Sequence, residues 1–343
     1  IKVLKGAYNG TQFLGDNPLN PIIAVSSGIT HNLALAADGT VYSFGSNASG
    51  QLGDSTVITR NIPIKVLKGK YVGTTFLGDN PANPIIAIQA GRFHSSALAA
   101  NGTVYNWGNN FFGQLGDSTT FDKLSPVNVL KGVYNGVNYL GDDIGNPIVA
   151  ISCGSYHSMA IDANGLVYAY GANSTAQLGI GSLVNQNTPV IPVKGMYAGT
   201  AKLGDNPLNP IIAISGGNNF SLVLAKDGSV FAFGNNTFGQ MGEGSFGSST
   251  SPQRVKKGAY PGINFLGDSI NNPIVGITAG EVHSLALTAN GSIYAFGQNV
   301  RGQLGNGTLT NSNLPVRVLK GEYAGTSFIG DNSSNPIVSI TTG

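Results

Sequence analysis

One structural unit repeated in tandem constrains the fold of this chain more than any other feature. The motif Gly-Gln-Leu-Gly around Gln51 recurs with small changes at a fixed step of 63 residues, at Gln114, Gln177, Gln240 and Gln303. A strict period of this length is typical of repeat architectures, in which each unit needs a neighbour to bury its apolar face. The fold of one unit therefore predicts the fold of the chain.

Each unit is predicted to contain four short β-strands. Residues 21–25 form an apolar run that suits a strand buried on both faces. The alternating segment His31–Ala36 leads into Asp38-Gly39, a dipeptide typical of hairpin turns. Residues 40–44 follow and are rich in β-branched and aromatic side chains, and residues 62–67 form the fourth strand.

The composition fits an all-β fold of short elements. The chain has 50 glycines and 16 prolines among 343 residues, and 41% of its residues are hydrophobic. Glycine and proline favour tight turns, and this hydrophobic content suffices for a core. Since one such sheet cannot bury both faces alone, the sequence predicts a β-propeller of four-stranded antiparallel blades, built from about 5.5 tandem repeats.

Residues 1–343 are predicted to form a single repeat array. The whole units lie at approximately 20–82, 83–145, 146–208, 209–271 and 272–334, with partial units at 1–19 and 335–343. Residues 316–343 are in phase with residues 1–28, which favours a segment of a longer array. The number of blades in the intact protein stays open, and an open superhelical stack is an alternative to a closed ring.

The repeat resembles a known family. The series Gly28-x-x-His31-x-x-Ala34-Leu35, Asp38-Gly39-Thr40-Val41-Tyr42-x-x-Gly45-x-Asn47 and Gly50-Gln51-Leu52-Gly53 is similar to the regulator of chromosome condensation repeat. The resemblance implies a propeller, usually of seven blades. Each unit here carries an added segment before its first strand, as in residues 4–21. This lengthened form resembles units of secreted bacterial members more than the eukaryotic nuclear exchange factor.

The histidines and glutamines are interpreted as structural repeat positions. The histidines share one position, at His31, His94, His157 and His283, and Phe220 replaces the histidine in the fourth copy. Zinc–nitrogen bonds are about 2.1 Å, so ligands must lie close together, whereas equivalent residues of neighbouring blades are a blade width apart. The sequence predicts packing at these positions and no metal or cofactor.

An aspartate also recurs, at Asp16, Asp79, Asp142, Asp205, Asp268 and Asp331, each after Leu-Gly or Ile-Gly. Carboxylate and amide oxygens could bind Ca²⁺, but one carboxylate per loop provides few of the oxygen ligands that this ion needs. Capping of a turn is the preferred interpretation, and Ca²⁺ binding stays open.

The motif Lys-Gly-x-Tyr provides candidate partner contacts. Its lysine–tyrosine pairs are Lys5 and Tyr8, Lys68 and Tyr71, Lys131 and Tyr134, Lys194 and Tyr197, Lys257 and Tyr260, and Lys320 and Tyr323. On one rim, aromatic rings and cations could bind a partner. The alternative is that each tyrosine covers the added segment and each lysine is simply solvated.

No set of residues indicates catalysis. The glycine-rich stretches lack the Lys-Ser/Thr of a phosphate-binding loop, and every candidate nucleophile or base recurs as a repeat position. Catalysis needs unequal roles in one pocket, so the chain is predicted not to be an enzyme. The single cysteine, Cys153, excludes an internal disulfide and is predicted to be inert packing.

Charge and hydropathy limit the partners. The net charge is +2 with no basic cluster, which argues against nucleic acid, and no apolar run is long enough to span a membrane. The leading hypothesis is a non-enzymatic extracellular or cell-surface scaffold for structure, self-assembly into filaments, or protein or glycan binding. One alternative is a guanine-nucleotide exchange factor or chromatin-associated propeller, which would need basic arms.

The other alternative is a protein inhibitor of a secreted enzyme, similar to β-lactamase inhibitor relatives of this fold. That function needs aromatic anchors concentrated on one rim. The only local departures from the repeat that could supply them are Phe111-Phe112, Trp107 and Phe246, and Trp107 fits the core better.

Overall fold

A computed structural model describes residues 2–342 and contains only strands, bridges and turns over that range. The strands form five four-stranded sheets, each antiparallel and in sequence order. The all-β prediction is confirmed. In the same part of the chain, no helix offers the length and apolarity that crossing a membrane requires.

The strands of the first three sheets are as follows. The first sheet contains β1 (Ile22–Ser27), β2 (His31–Ala36), β3 (Val41–Gly45) and β4 (Arg60–Lys65). The second contains β5 (Ile85–Ala90), β6 (His94–Ala99), β7 (Val104–Gly108) and β8 (Lys123–Asn128). The third contains β9 (Ile148–Cys153), β10 (His157–Asp162), β11 (Val167–Gly171) and β12 (Gln186–Val190).

Two sheets complete the set. The fourth contains β13 (Ile211–Gly216), β14 (Phe220–Ala225), β15 (Val230–Gly234) and β16 (Ser249–Arg254). The fifth contains β17 (Ile274–Ala279), β18 (His283–Thr288), β19 (Ile293–Gly297) and β20 (Ser312–Arg317).

The hairpin between β2 and β3 forms where Asp38-Gly39 predicts it. The Gly39 amide donates to the Ala36 carbonyl at 3.0 Å, and Gly39 has a φ of +89°. Asp38 keeps a negative φ, and its carboxylate accepts the Thr40 amide at 2.9 Å. The four residues 36–39 therefore form a type I turn whose last residue, Gly39, is left-handed, which explains why glycine is needed there.

The added segment of each unit forms a small hairpin closed by one β-bridge, such as Leu67 to Phe76. This hairpin lies directly on the fourth strand of the following sheet. The Lys70 amide donates to the Pro126 carbonyl at 2.8 Å. A Cβ on Gly69 would lie 2.1 Å from the same oxygen, so only glycine permits this close approach.

The chain divides into two compact units. The first comprises the chain through Ala163, Tyr168–Ala172 and Asn185–Val190, and so holds the first three sheets except Val167. The second comprises Asn164–Val167, Asn173–Val184 and the chain from Ile191 onward, with the last two sheets.

The core of each unit lies between consecutive sheets. In the first unit, Trp107 of β7 packs with Leu33, Val41 and Val66 from the preceding sheet and its flank. In the second unit, Phe296 of β19 packs with Leu222, Val230 and Val255 in the same way. The first and second sheets thus bury apolar side chains against each other, and so do the fourth and fifth sheets.

The prediction that residues 21–25 are buried on both faces is wrong. In β1, half-buried and exposed residues alternate, and Ile23 and Val25 lie in the exposed set. A strand that packs on one face alone leaves its alternate side chains in water. The apolar run could not show this, because both of its faces are apolar.

Candidate functional site

The histidine position connects neighbouring sheets of the first unit. Nε2 of His31 lies 2.9 Å from Oγ of Ser95, and Nε2 of His94 lies 3.0 Å from Oγ of Ser158. The Ser95 hydroxyl donates to the Gln51 carbonyl at 2.9 Å. Because that hydroxyl has one proton, Nε2 of His31 must donate to Ser95.

Burial keeps these histidines neutral. It lowers the pKa of His31 and of His157 to about 4. Burial lowers the pKa of His94 further, to about 3, and the repulsion that protonated His31 and His157 would exert adds to this effect. In the second unit Phe220 occupies the position, and the Ser284 hydroxyl still donates to the Gln240 carbonyl at 2.7 Å. An apolar ring can therefore replace the histidine without loss of that hydrogen bond.

The glutamine and asparagine of each repeat fix the loop between the third and fourth strands. Oε1 of Gln51 accepts the Ser49 amide at 2.9 Å. Asn47 is fully buried, accepts the Leu52 amide at 2.9 Å and donates to Asp54 at 2.9 Å. In the sequence, Asn47 was recognised only as part of the family motif. Its recurrence at Asn110, Asn173, Asn236 and Asn299 was the signal for a buried loop anchor.

The tyrosines of the Lys-Gly-x-Tyr motif do not form an exposed rim. Tyr8, Tyr71, Tyr134, Tyr197 and Tyr260 are each 2% exposed, and Tyr323 is half-buried. Each ring of that buried set meets an aromatic residue of the third strand edge-on, as Tyr71 meets Tyr105 at 5.5 Å between centroids. The Tyr71 hydroxyl donates to the Asn83 carbonyl at 2.5 Å.

The buried rings of Tyr8, Tyr71, Tyr134, Tyr197 and Tyr260 have little surface to offer a partner, and partner contact through the tyrosines stays a prediction. The lysines stay near the surface and fold back on their own hairpins. Nζ of Lys68 lies 3.1 Å from the Gly73 carbonyl, and Lys5, Lys131, Lys194, Lys257 and Lys320 make the equivalent contact. Partner contact through the lysines stays a prediction.

The recurring aspartates cap the added hairpins. The Asp79 carboxylate accepts the amides of Thr74, Thr75 and Phe76 and the Thr74 hydroxyl. Against the opposing effect of burial, these bonds lower the pKa of Asp79 to about 2. The carboxylate thus meets N–H and O–H donors that lie three to five residues before it and closes the hairpin loop, whereas an Asx turn uses the amide two residues after the aspartate. Residues 2–342 contain no group of three His, Cys, Asp or Glu side chains placed to hold a metal ion.

Cys153 is buried, and burial raises the pKa of its thiol to about 12. A thiol of this kind stays protonated at neutral pH and is a poor nucleophile. Its surroundings provide packing and no reactive centre.

One group of aromatic side chains departs from the repeat and is brought together by the fold. The rings of Phe111 and Phe112 meet edge-on at 4.9 Å, and those of Phe112 and Tyr156 at 5.3 Å. The Arg92 guanidinium lies 5.5 Å from the Phe93 ring and 5.8 Å from the Tyr156 ring. We call Arg92, Phe93, Phe111, Phe112 and Tyr156 the aromatic cluster.

Comparison with known proteins identifies the family. The model of the RCC1-like domain matches residues 9–332. The chain belongs to the RCC1-like domain family.

Individual relatives carry the same domain within longer proteins. The chain is 31% identical over 302 residues to the human E3 ubiquitin-protein ligase HERC2, covering 86% of this chain and 5% of that protein. It is 28% identical to the ultraviolet-B receptor UVR8 of Arabidopsis thaliana, covering 91% of this chain and 61% of the receptor. The chain thus spans only part of these relatives.

Solved structures support the RCC1-like propeller fold alone. Human WBSCR16 superposes with a TM-score of 0.69 at 22% identity, covering 87% of this chain and 67% of that one. Prp20p of Saccharomyces cerevisiae, whose structure was described with its binding to Gsp1p and histones, gives 0.51 at 20% identity, covering 87% and 77%.

Proposed function

We propose that this RCC1-like domain is a non-enzymatic scaffold, extracellular or displayed on the cell surface, that binds another protein. The observation that carries the proposal is the contrast between two kinds of position in the repeat. The recurring glutamines and asparagines are buried or half-buried and hydrogen-bonded within the fold, whereas the loop before each fourth strand exposes side chains that differ between repeats.

These loops expose large apolar side chains at one place in every repeat. They are Val57 and Ile58 in the first loop, Phe121 in the second, Leu183 and Val184 in the third, Phe246 in the fourth and Leu309 in the fifth. Exposed apolar side chains gain free energy when a partner removes them from water. Their variation in shape suits a protein partner, whose surface can match each one.

The recurring histidines and aspartates have structural contacts, and for this reason we propose no catalytic role for them. The histidines donate or pack within the fold, and the aspartates accept hydrogen bonds from their own hairpins. These contacts leave both residue types in structural roles. A low charged fraction of 10% and a rigid, turn-rich chain suit a secreted or surface-displayed protein.

Two experiments test the proposal. The first fractionates the source cells and follows the protein with an antibody; we expect it in the medium or exposed to protease on intact cells. Detection only in a protease-protected cytosolic fraction would contradict the location.

The second experiment immobilises the purified chain and passes extracellular and surface proteins over it, followed by cross-linking. We expect a defined protein to be retained and to bind again after purification. Accelerated release of labelled guanine nucleotide from a small GTPase would instead favour the exchange-factor alternative. Retention of polysaccharide alone, or sedimentation of the chain as fibres without any partner, would contradict protein binding.

A further inference from the structure

The second repeat exposes two phenylalanines that no other repeat has as a pair. Phe111 is 70% exposed and Phe121 is 74% exposed. The positions equivalent to Phe111 hold Ala48, Ser174, Thr237 and Val300, and those equivalent to Phe121 hold Ile58, Val184, Gly247 and Thr310. The array is otherwise repetitive, so this pair marks a single place on it.

The two phenylalanines project from one rigid loop. The Asn110 side chain donates to the Phe121 carbonyl at 3.2 Å, and the Asn110 amide donates to Asp122 at 2.8 Å. The Phe112 amide donates to Oε1 of Gln114 at 2.9 Å. These bonds fix both backbones before any partner arrives, so little conformational entropy is lost on binding.

Within the aromatic cluster, the Phe111 ring packs against the Phe112 ring. Phe112 and Tyr156 are half-buried and contact each other edge-on, whereas Phe111 stands above them largely in water. A ring that projects in this way fits a concave surface on the partner. Aromatic and arginine side chains of this kind dominate the binding energy of protein interfaces.

The polar groups beside the cluster argue against a glycan. Nε2 of Gln114 donates to Asn109 at 2.6 Å, and Nδ2 of Asn109 donates to Asp122 at 3.2 Å. These amides are engaged within the loop, whereas recognition of a sugar needs polar groups beside the ring to meet its hydroxyls. A folded protein with an apolar pocket needs no such groups.

We propose that Phe111 and Phe121 are anchors that insert into apolar pockets of a folded protein partner, which binds once per chain at the second repeat. This inference rests on the proposed function and specifies its partner. Binding once per chain also distinguishes this partner from a repetitive one, such as a polymer or a stack of copies, which would engage every repeat alike.

The test uses the full chain and the protein that the wild-type chain retains, purified and titrated by calorimetry. Phe111→Ala and Phe121→Ala are compared with Leu208→Ala, a truncation in an added hairpin outside these loops at a residue 88% exposed, where the equivalent position of another repeat already holds Ala82. All three positions lie on the surface, so circular dichroism should show folded variants. We expect one partner per chain, at least about 30-fold weaker binding for each phenylalanine variant, and less than about threefold for the control.

A benzyl probe tests the direction of insertion. N-acetyl-L-phenylalanine amide should bind the partner and weaken its binding to the wild-type chain. Equal binding by wild type and Phe111→Ala, or several partners per chain, would overturn the inference and leave protein binding intact. Retention only of polysaccharide or of a second copy would overturn both.

Discussion

Nε2 of His31 donates to the hydroxyl of Ser95 over 2.9 Å, and the two residues belong to consecutive sheets. With Nε2 as the donor, the neutral ring leaves Nδ1 unprotonated, and Nδ1 of His31 is buried without a hydrogen-bond partner. Protonation would place a charge there with no acceptor to stabilise it. Contact between sheets in the first unit therefore depends on a neutral histidine.

Acid should weaken the first unit before its carboxylates titrate. The unfolded chain binds protons at histidine below a pKa of about 6.5, whereas burial lowers the pKa of native His31 to about 4 and contributes to lowering that of His94 to about 3. The native state then binds fewer protons, so stability is greatest above pH 6.5. It falls between pH 6.5 and 4 by about 1.4 kcal/mol per pH unit for each such histidine.

His94→Phe tests this dependence, because Phe220 already occupies the equivalent position in the fourth repeat. Trp107, the one tryptophan of the chain, is buried in the first unit and reports its unfolding by fluorescence. We expect the variant to lose less stability than wild type between pH 7.5 and 4.5 in urea titrations. Identical losses would show that His94 does not titrate on unfolding.

Two glycines at equivalent repeat positions allow the cost of backbone strain to be measured separately from the cost of contact between a hairpin and the next sheet. Gly69 and Gly321 both have a φ of +52°, but a Cβ on Gly69 would meet the Pro126 carbonyl at 2.1 Å, whereas one on Gly321 meets nothing within 4 Å. Gly321→Ala should cost only the strain of the left-handed backbone, about 1 kcal/mol. Gly69→Ala should cost roughly 2 kcal/mol more, because the hairpin must move off the next sheet.

Urea unfolding followed by far-ultraviolet circular dichroism measures both variants against wild type. Equal losses would mean that the added hairpin does not press on the following sheet in solution.

The carboxylate of Asp79 should hold its hairpin closed down to low pH. Its hydrogen bonds lower its pKa to about 2, although burial opposes them, so their contribution persists above the unfolded pKa near 3.9 and is lost as the pH falls towards 2. In Asp79→Asn, the amides of Thr74 and Thr75 should exchange hydrogen about fivefold faster, since a net hydrogen bond is worth ~1 kcal/mol.

Thr74→Val provides the matched control, because Val137 stands at the equivalent position of the third hairpin. It removes the hydroxyl donor and keeps the backbone donors, so its exchange rates should lie between those of wild type and Asp79→Asn. Unchanged exchange in Asp79→Asn would refute the capping role.

The sequence predicted those parts of the fold that depend on local chemistry. The β-branched residues and Asp38-Gly39 placed β2 and β3 to within one residue, because turns and alternation act over a few residues. The sequence left open whether Tyr71 is buried or exposed, because its burial depends on packing against Tyr105, a residue distant in sequence. That contact joins the added hairpin to the third strand of the next repeat.

The aromatic cluster was visible only in part. Phe111-Phe112 stood out as a departure from the repeat, but Tyr156 lies in the following repeat and meets Phe112 only once the two sheets stack. Alignment of the repeats was the signal that could have found it, because Phe93 and Tyr156 share one repeat position that holds Thr30, Asn219 and Val282 elsewhere.

We propose that recurring buried polar residues hold the repeats together while the exposed loops bind the partner. The most direct test measures unfolding free energy and partner affinity side by side for Ser95→Ala and Phe111→Ala. We predict that Ser95→Ala loses about 1–3 kcal/mol of stability and binds the partner normally when folded, because it leaves buried polar groups unpaired. Phe111→Ala should keep its stability and lose its affinity. Loss of stability without loss of affinity in Phe111→Ala, or the reverse in Ser95→Ala, would contradict this division of roles.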